Sequence, residues 1–214
     1  MQALRERIRD QLRDTSIKGA AALAVEAPRG LGTLITLTND PDAAIGWRAV
    51  VALGQAAQCV AKGDPEPVRR QLRRLHWMLN DESGSVGWRA PQAMAEIVRL
   101  EPQHFAEYVP ITIHLIRTVH GEPAVRAGIL WAIGRLNSAA PAEVECIRPE
   151  VEACLGDPSP EVRGMAVWCV GKTGHVEAVR TCAALLHDPE SVEIFEGEEL
   201  RRYRIGELAR RVAE

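Results

Sequence analysis

The chain has 214 residues with a formal net charge of −3, and 46 % of them are apolar while only 4 % are aromatic. That apolar share supports the core of one large or two small domains. The near balance of charge excludes a strongly basic nucleic-acid-binding chain and an acidic tail, and the lack of a long unbroken apolar run excludes a membrane-spanning helix.

Apolar residues spaced three and four apart, interrupted at Gly, Pro and Asp, predict helices along most of the chain. The first covers 2–13; its charged opening is expected to be an amphipathic helix rather than a secretion signal. Helical pairs follow at 16–27 and 30–38, at 43–61 and 65–79, and at 86–100 and 103–119. Two more lie at 124–137 and 142–155, and at 160–172 and 176–187. In the tail, Val192-Glu-Ile-Phe-Glu alternates apolar and polar residues, Gly197-Glu-Glu supplies a turn, and Leu200-Arg-Arg-Tyr-Arg-Ile returns, which predicts a β-hairpin before a closing helix at 206–213.

Five copies of one phrase organise these pairs. They begin at Ile17, Ile45 (Ile45-Gly-Trp-Arg-Ala-Val-Val-Ala-Leu-Gly54), Val86 (Val86-Gly-Trp-Arg-Ala), Val125 (Val125-Arg-Ala-Gly-Ile-Leu-Trp-Ala-Ile-Gly134) and Val162 (Val162-Arg-Gly-Met-Ala-Val-Trp-Cys-Val-Gly171). The first residues lie 28, 41, 39 and 37 positions apart, and each copy follows an acid: Asp14, Asp40, Asp81, Glu122 or Asp157. A repeated unit of this length, holding two apolar helical runs, is the signature of an α-solenoid. The expected fold is therefore all-α: about five helical hairpins over 1–191, capped by the β-hairpin and helix of 192–214. The turn acids are expected to act as helix N-caps, with Pro at the first helical position.

The phrase, written acid–turn–(Val/Ile)-Arg-x-x-Ala…(Ala/Leu)-(Ile/Val)-Gly, resembles the HEAT-like repeats of bacterial scaffold proteins and of the phycobilisome-lyase group. The likeness runs over roughly residues 15–190, and Val125-Arg126 and Val162-Arg163 match best. It implies an array that works as a binding surface, with Arg126 and Arg163 each paired to the acid of the preceding turn. The copies at Ile45 and Val86 depart from it by placing Gly-Trp-Arg where Arg should come first. The string from Asn80 to Gln92 also resembles bacterial HEAT-repeat proteins of unassigned role.

Stacked repeats set equivalent residues side by side. Trp47 with Trp88, Arg48 with Arg89, and Trp131 with Trp168 are expected about one packed-helix spacing apart, roughly 10 Å. Trp131 and Trp168 fall on the apolar stripe and are read as core. The candidate partner-binding residues are Trp47, Arg48, Arg70, Arg74, Trp77, Asp81, Glu82, Ser83, Trp88 and Arg89, gathered on the departing copies and the polar turn between them. Arg69-Arg70-x-x-Arg73-Arg74 gives two basic stripes on one helix, and with Arg48, Arg89, Arg117 and Arg135 it sketches a basic groove. Six histidines without metal-ligand spacing and five cysteines without a CxxC pair assign no metal or cofactor site. The odd number of cysteines points to free thiols in a reducing cytoplasm, and four of the five are expected buried and inert.

The leading functional expectation is a non-enzymatic scaffold or adaptor that holds a protein partner on its concave face and the region 80–88. A nucleic-acid-binding or base-excision module of HEAT-like glycosylase type is the alternative, disfavoured by the charge. A bilin lyase-like role, implied only by the resemblance, comes third. No catalytic residue, cofactor or metal is assigned, and no membrane partner is expected.

Overall fold

The computed structural model describes residues 2–79, 89–119 and 122–214. They form two compact units, Met1–Tyr108 and Val109–Glu214. The expected fold class is observed: a helical-repeat architecture with one short antiparallel β-hairpin near the C-terminal end. Among the described residues no helix is long and apolar enough to cross a membrane.

The first unit holds α1 (Gln2–Arg13), α2 (Ile17–Glu26), α3 (Gly30–Leu37), α4 (Ala43–Ala61), α5 (Glu66–Leu79), α6 (Ala90–Leu100) and α7 (Pro102–Phe105). Helices α2, α4 and α6 pack side by side, with α1, α3 and α5 laid against them. The small residues of α4 make this close stacking feasible: Ala49, Ala52, Ala56 and Ala57 are all buried. On α5, Val68, Leu72 and Leu75 recur at helical spacing and are buried. Each such side chain stabilises by about 2 kcal/mol, so a single apolar stripe fixes which face of α5 points outward.

The second unit opens within α8 (Tyr108–Ile113) and continues through α9 (Leu115–Thr118), α10 (Pro123–Leu136), α11 (Pro141–Glu145), α12 (Arg148–Ala153), a 3-10 turn (Cys154–Gly156), α13 (Pro160–Thr173), α14 (Glu177–Arg180) and α15 (Ala183–Leu186). Strands β1 (Ser191–Glu196) and β2 (Glu199–Arg204) then lead into α16 (Ile205–Ala213). Here α10, α13 and α16 pack side by side, and β1 lies along α13. The hairpin turns at Gly197 (φ 61°) and Glu198 (φ 67°), both left-handed, as a two-residue turn with native strand twist requires. Val192, Ile194 and Phe195 are buried, and the indole Nε1 of Trp131 donates to the Phe195 carbonyl oxygen at 3.1 Å.

Three helices expected to be continuous are broken. The run 103–119 divides among α7, α8 and α9, and 142–155 divides into α11, α12 and the 3-10 turn. Pro110 and Pro149 explain the first break in each. Proline lacks the N–H that would bond four residues back, and its ring crowds that carbonyl. Helix α7 accordingly stops at Phe105 and α11 at Glu145. The run 176–187 divides at Thr181, whose hydroxyl donates to the Glu177 carbonyl in competition with the helical ladder.

The turn acids have a different role from the expected one. Asp40, Asp157 and Asp188 each accept a backbone N–H two residues on, from Asp42, Ser159 and Glu190, at 2.9–3.0 Å. Capping of α4 falls instead to Asp42, which accepts from Ala44 and Ile45. The same three carboxylates each take an arginine from the preceding repeat: Arg9 to Asp40 (2.7 and 3.0 Å), Arg126 to Asp157 (2.5 Å) and Arg163 to Asp188 (2.9 Å). Arg126 and Arg163 thus form their ion pairs with the acid of the following turn rather than the preceding one, although Arg163 also donates to the backbone carbonyl of Asp157 at 2.8 Å. Their side chains therefore tie each repeat to its successor.

Trp131 and Trp168 are buried, as expected, but their rings stack at 6.3 Å between centroids and 4° between planes, well inside a helix spacing. The reason is Gly134. A Cβ there would lie 2.6 Å from Cζ3 of Trp168, so only glycine admits the indole. The closing glycine plays the same part in two other copies, where a Cβ on Gly54 would meet Glu96 and one on Gly171 would meet Val212.

Candidate functional site

Helix α5 carries the arrangement most suited to binding. Its buried stripe turns Arg70, Arg74 and Trp77 (positions i, i+4 and i+7) to one outer face. Trp77 is 65 % exposed. Arg69 and Arg73, on the adjoining face, are neutralised: Arg69 pairs with Glu107 and donates to the His104 carbonyl, and Arg73 reaches Glu66 at 2.5 Å. Arg70 and Arg74 make no ion pair or hydrogen bond among the described residues. The two stripes expected on α5 are therefore chemically distinct, one paired and one open.

Arg70 and Arg74 line a cleft of about 510 Å³ between α5 and the α2–α3 corner. Its walls are apolar at Ala24, Val25, Leu31 and Val60, and polar at Arg29, Thr33 and Thr36. Among the described residues no acid lines it. Val25 is itself an exposed large apolar side chain, a second one besides Trp77. Gln71, between the two arginines, has its Oε1 buried without a hydrogen-bond donor among the described residues. The cleft can thus seat an anionic group beside an apolar one.

The other candidate residues are tied into packing. Trp47 is buried in α4. The Arg89 guanidinium lies over its ring at 5.6 Å and donates to the Thr38 carbonyl at 2.6 Å. Burial pushes the Arg89 pKa below the ordinary arginine value. Arg48 donates to the Leu12 carbonyl at 3.1 Å. These contacts tie all three residues to neighbouring elements of the first unit. Asp81, Glu82, Ser83 and Trp88, with the rest of 80–88, lie outside the described residues. The remaining arginines of the sketched groove have local partners: Arg117 holds Glu150 and the Cys146 carbonyl, and Arg135 lies 5.3 Å over Trp131.

Sequence reasoning missed the far wall of the cleft, Val25, Arg29, Thr33 and Thr36. They sit thirty or more residues before α5 in an ordinary helical pair, and the only local signal was the Pro28-Arg29-Gly30 break. The cysteines also differ from expectation. All five are free, but only Cys154 and Cys169 are buried, while Cys59 and Cys146 are exposed. Burial pushes both buried thiols up and leaves them inert. Among the described residues no group of three or more His, Cys, Asp or Glu is placed to hold a metal.

No curated protein matches the chain. Residues 109–194 match the family model for HEAT repeats. That span takes in α10, α13 and the arginine–aspartate pairs joining successive repeats, and the first unit repeats the same pair at Arg9 and Asp40. Over residues 109–194 the chain thus carries HEAT-like repeats.

Proposed function

We propose that this protein is a non-enzymatic adaptor that binds a protein partner on the outer face of α5 and the adjoining cleft. HEAT repeats commonly mediate protein–protein interaction or scaffolding. The observation that supports this site is the exposed face of Arg70, Arg74 and Trp77, with both arginines lacking a partner among the described residues while their neighbours on the same helix are paired. Trp and Arg are the side chains that most often dominate interface energy. The indole is 65 % exposed and neither guanidinium has an ion-pair partner among the described residues, so a binding role accounts for the exposed apolar surface and the local like charge. Five free thiols fit a reducing compartment, and we assign the protein to the cytoplasm on that ground. A nucleic-acid role is weakened by the net charge of −3 and by the local partners of Arg48, Arg89, Arg117 and Arg135.

The test compares the proteins captured from the native host by immobilised wild type, by the Arg70→Glu/Arg74→Glu double variant and by Trp77→Ala. A partner held by wild type at physiological salt and lost by both variants is the expected result. Identical capture by all three would overturn the assignment, as would tight duplex DNA binding by wild type at the same salt.

A further inference from the structure

We infer that the α2–α3–α5 cleft recognises an acidic segment of its partner, one in which carboxylates about one helical turn apart flank or adjoin an apolar side chain. This deepens the adaptor reading and rests on it. Arg70 and Arg74 are four residues apart on α5, so their backbones are separated by about 6 Å along the axis. Two carboxylates match that interval either at i and i+4 of a helix or at i and i+2 of an extended chain, whose residues advance about 3.3 Å each. Arginine meets a carboxylate through two parallel N–H donors, which makes the match directional as well as electrostatic. Between the arginines and the α2–α3 corner, Val25, Leu31 and Val60 offer an apolar wall. Trp77 stands three residues beyond Arg74, about 4.5 Å further along the axis, where it would cover an apolar residue that follows the acids.

The charge is also confined. The protein as a whole is negative, at −3, yet no acid lines this cleft and no acid pairs with Arg70 or Arg74 among the described residues. A locally positive cleft on a negative chain attracts an acidic segment and repels most other acidic surface. A nucleic-acid strand would need a continued basic track to neutralise successive phosphates. Arg69 and Arg73, which would have to continue it on α5, are already held by Glu107 and Glu66.

The test uses fluorescence anisotropy with the full chain and three labelled probes: a peptide of alternating glutamate and leucine, its glutamine-for-glutamate counterpart, and a single-stranded oligonucleotide. The glutamate peptide should bind in a salt-dependent manner, and the glutamine peptide at least about tenfold more weakly. Arg70→Gln/Arg74→Gln should weaken the glutamate peptide by a similar factor, whereas Arg69→Gln/Arg73→Gln should change it less than twofold. Circular dichroism establishes that both variants remain folded. Equal binding of the two peptides, no binding of either, or tighter oligonucleotide binding through Arg70 and Arg74 would overturn the acidic-segment assignment. If the peptides fail while host-partner capture is still lost in Arg70→Glu/Arg74→Glu, the adaptor reading stands and only the partner's chemistry falls. If capture is unchanged in that variant, the adaptor site itself falls.

Discussion

Gly134→Ala and Gly32→Ala are the same substitution in two helix interiors, yet the structure gives them opposite signs. Replacing glycine by alanine in a helix ordinarily stabilises by about 0.5–1 kcal/mol, through reduced freedom of the unfolded chain. At Gly32 the nearest atom to a new Cβ is Nη1 of Arg74 at 3.8 Å, an ordinary contact with the end of a flexible side chain. At Gly134 the new Cβ would lie 2.6 Å from Cζ3 of Trp168, inside the 3.4 Å at which ordinary contact begins. The indole has no room to withdraw. It stacks on Trp131, Lys172 Nζ lies over its ring at 5.3 Å, and its Nε1 reaches Glu196. Overpacking of this kind costs about 1–3 kcal/mol, so the net effect at Gly134 is a loss of about 1–2 kcal/mol. For a chain of this size that lowers the melting temperature by about 4 °C, while Gly32→Ala raises it by about 2 °C. Thermal unfolding followed by far-ultraviolet circular dichroism measures both, and the near-ultraviolet spectrum reports the stacked tryptophans. A Gly134→Ala protein as stable as wild type, with an unaltered near-ultraviolet spectrum, would refute the claim that this glycine exists to admit Trp168.

Asp40→Asn should destabilise by about 2 kcal/mol at neutral pH, because Asp40 is buried and Arg9 would be left with a weaker acceptor. The Arg9 guanidinium holds the Asp40 carboxyl below the usual carboxylate range. Its contribution is therefore complete above about pH 4 and is lost as pH falls through the lower folded value, so the gap between wild type and variant in urea unfolding should close only in strong acid. Gln71→Leu should be neutral or stabilise by up to about 1 kcal/mol in the same assay, since it removes a buried oxygen that accepts nothing among the described residues. Trp77→Ala should shift stability by less than about 0.5 kcal/mol, because the side chain is 65 % exposed; a larger loss would show that the indole serves the fold rather than a partner.

Part of the candidate site was legible before the fold was known. The i, i+4 spacing of Arg70 and Arg74, with Trp77 at i+7, places all three opposite Val68, Leu72 and Leu75 by helix geometry alone. Nothing local, however, distinguished Arg70 and Arg74 from Arg69 and Arg73. That difference arises because Glu107, from thirty-odd residues further on, comes within reach of Arg69, and because Glu66 lies a turn and two turns before Arg69 and Arg73. Trp47, Arg48 and Arg89 looked like a surface group because they break the repeated phrase. The packing of α4 against its neighbours buries the indole and directs both guanidinium groups to backbone carbonyls.

The sequence by itself determined the helical-repeat fold, the C-terminal hairpin and the amphipathic orientation of α5, because apolar periodicity and turn residues act over a few positions and need no partner. Tertiary structure decided which charges are spent. Asp40, Asp157 and Asp188 join one repeat to the preceding one because stacking brings each beside an arginine 25–31 residues away. The runs 103–119 and 142–155 read as continuous helices in the sequence, and only the fold shows them divided around Pro110 and Pro149. The cleft is the clearest case: its two walls come from α5 and from the distant α2–α3 corner, and a pocket exists only when such segments are brought together around a shared core.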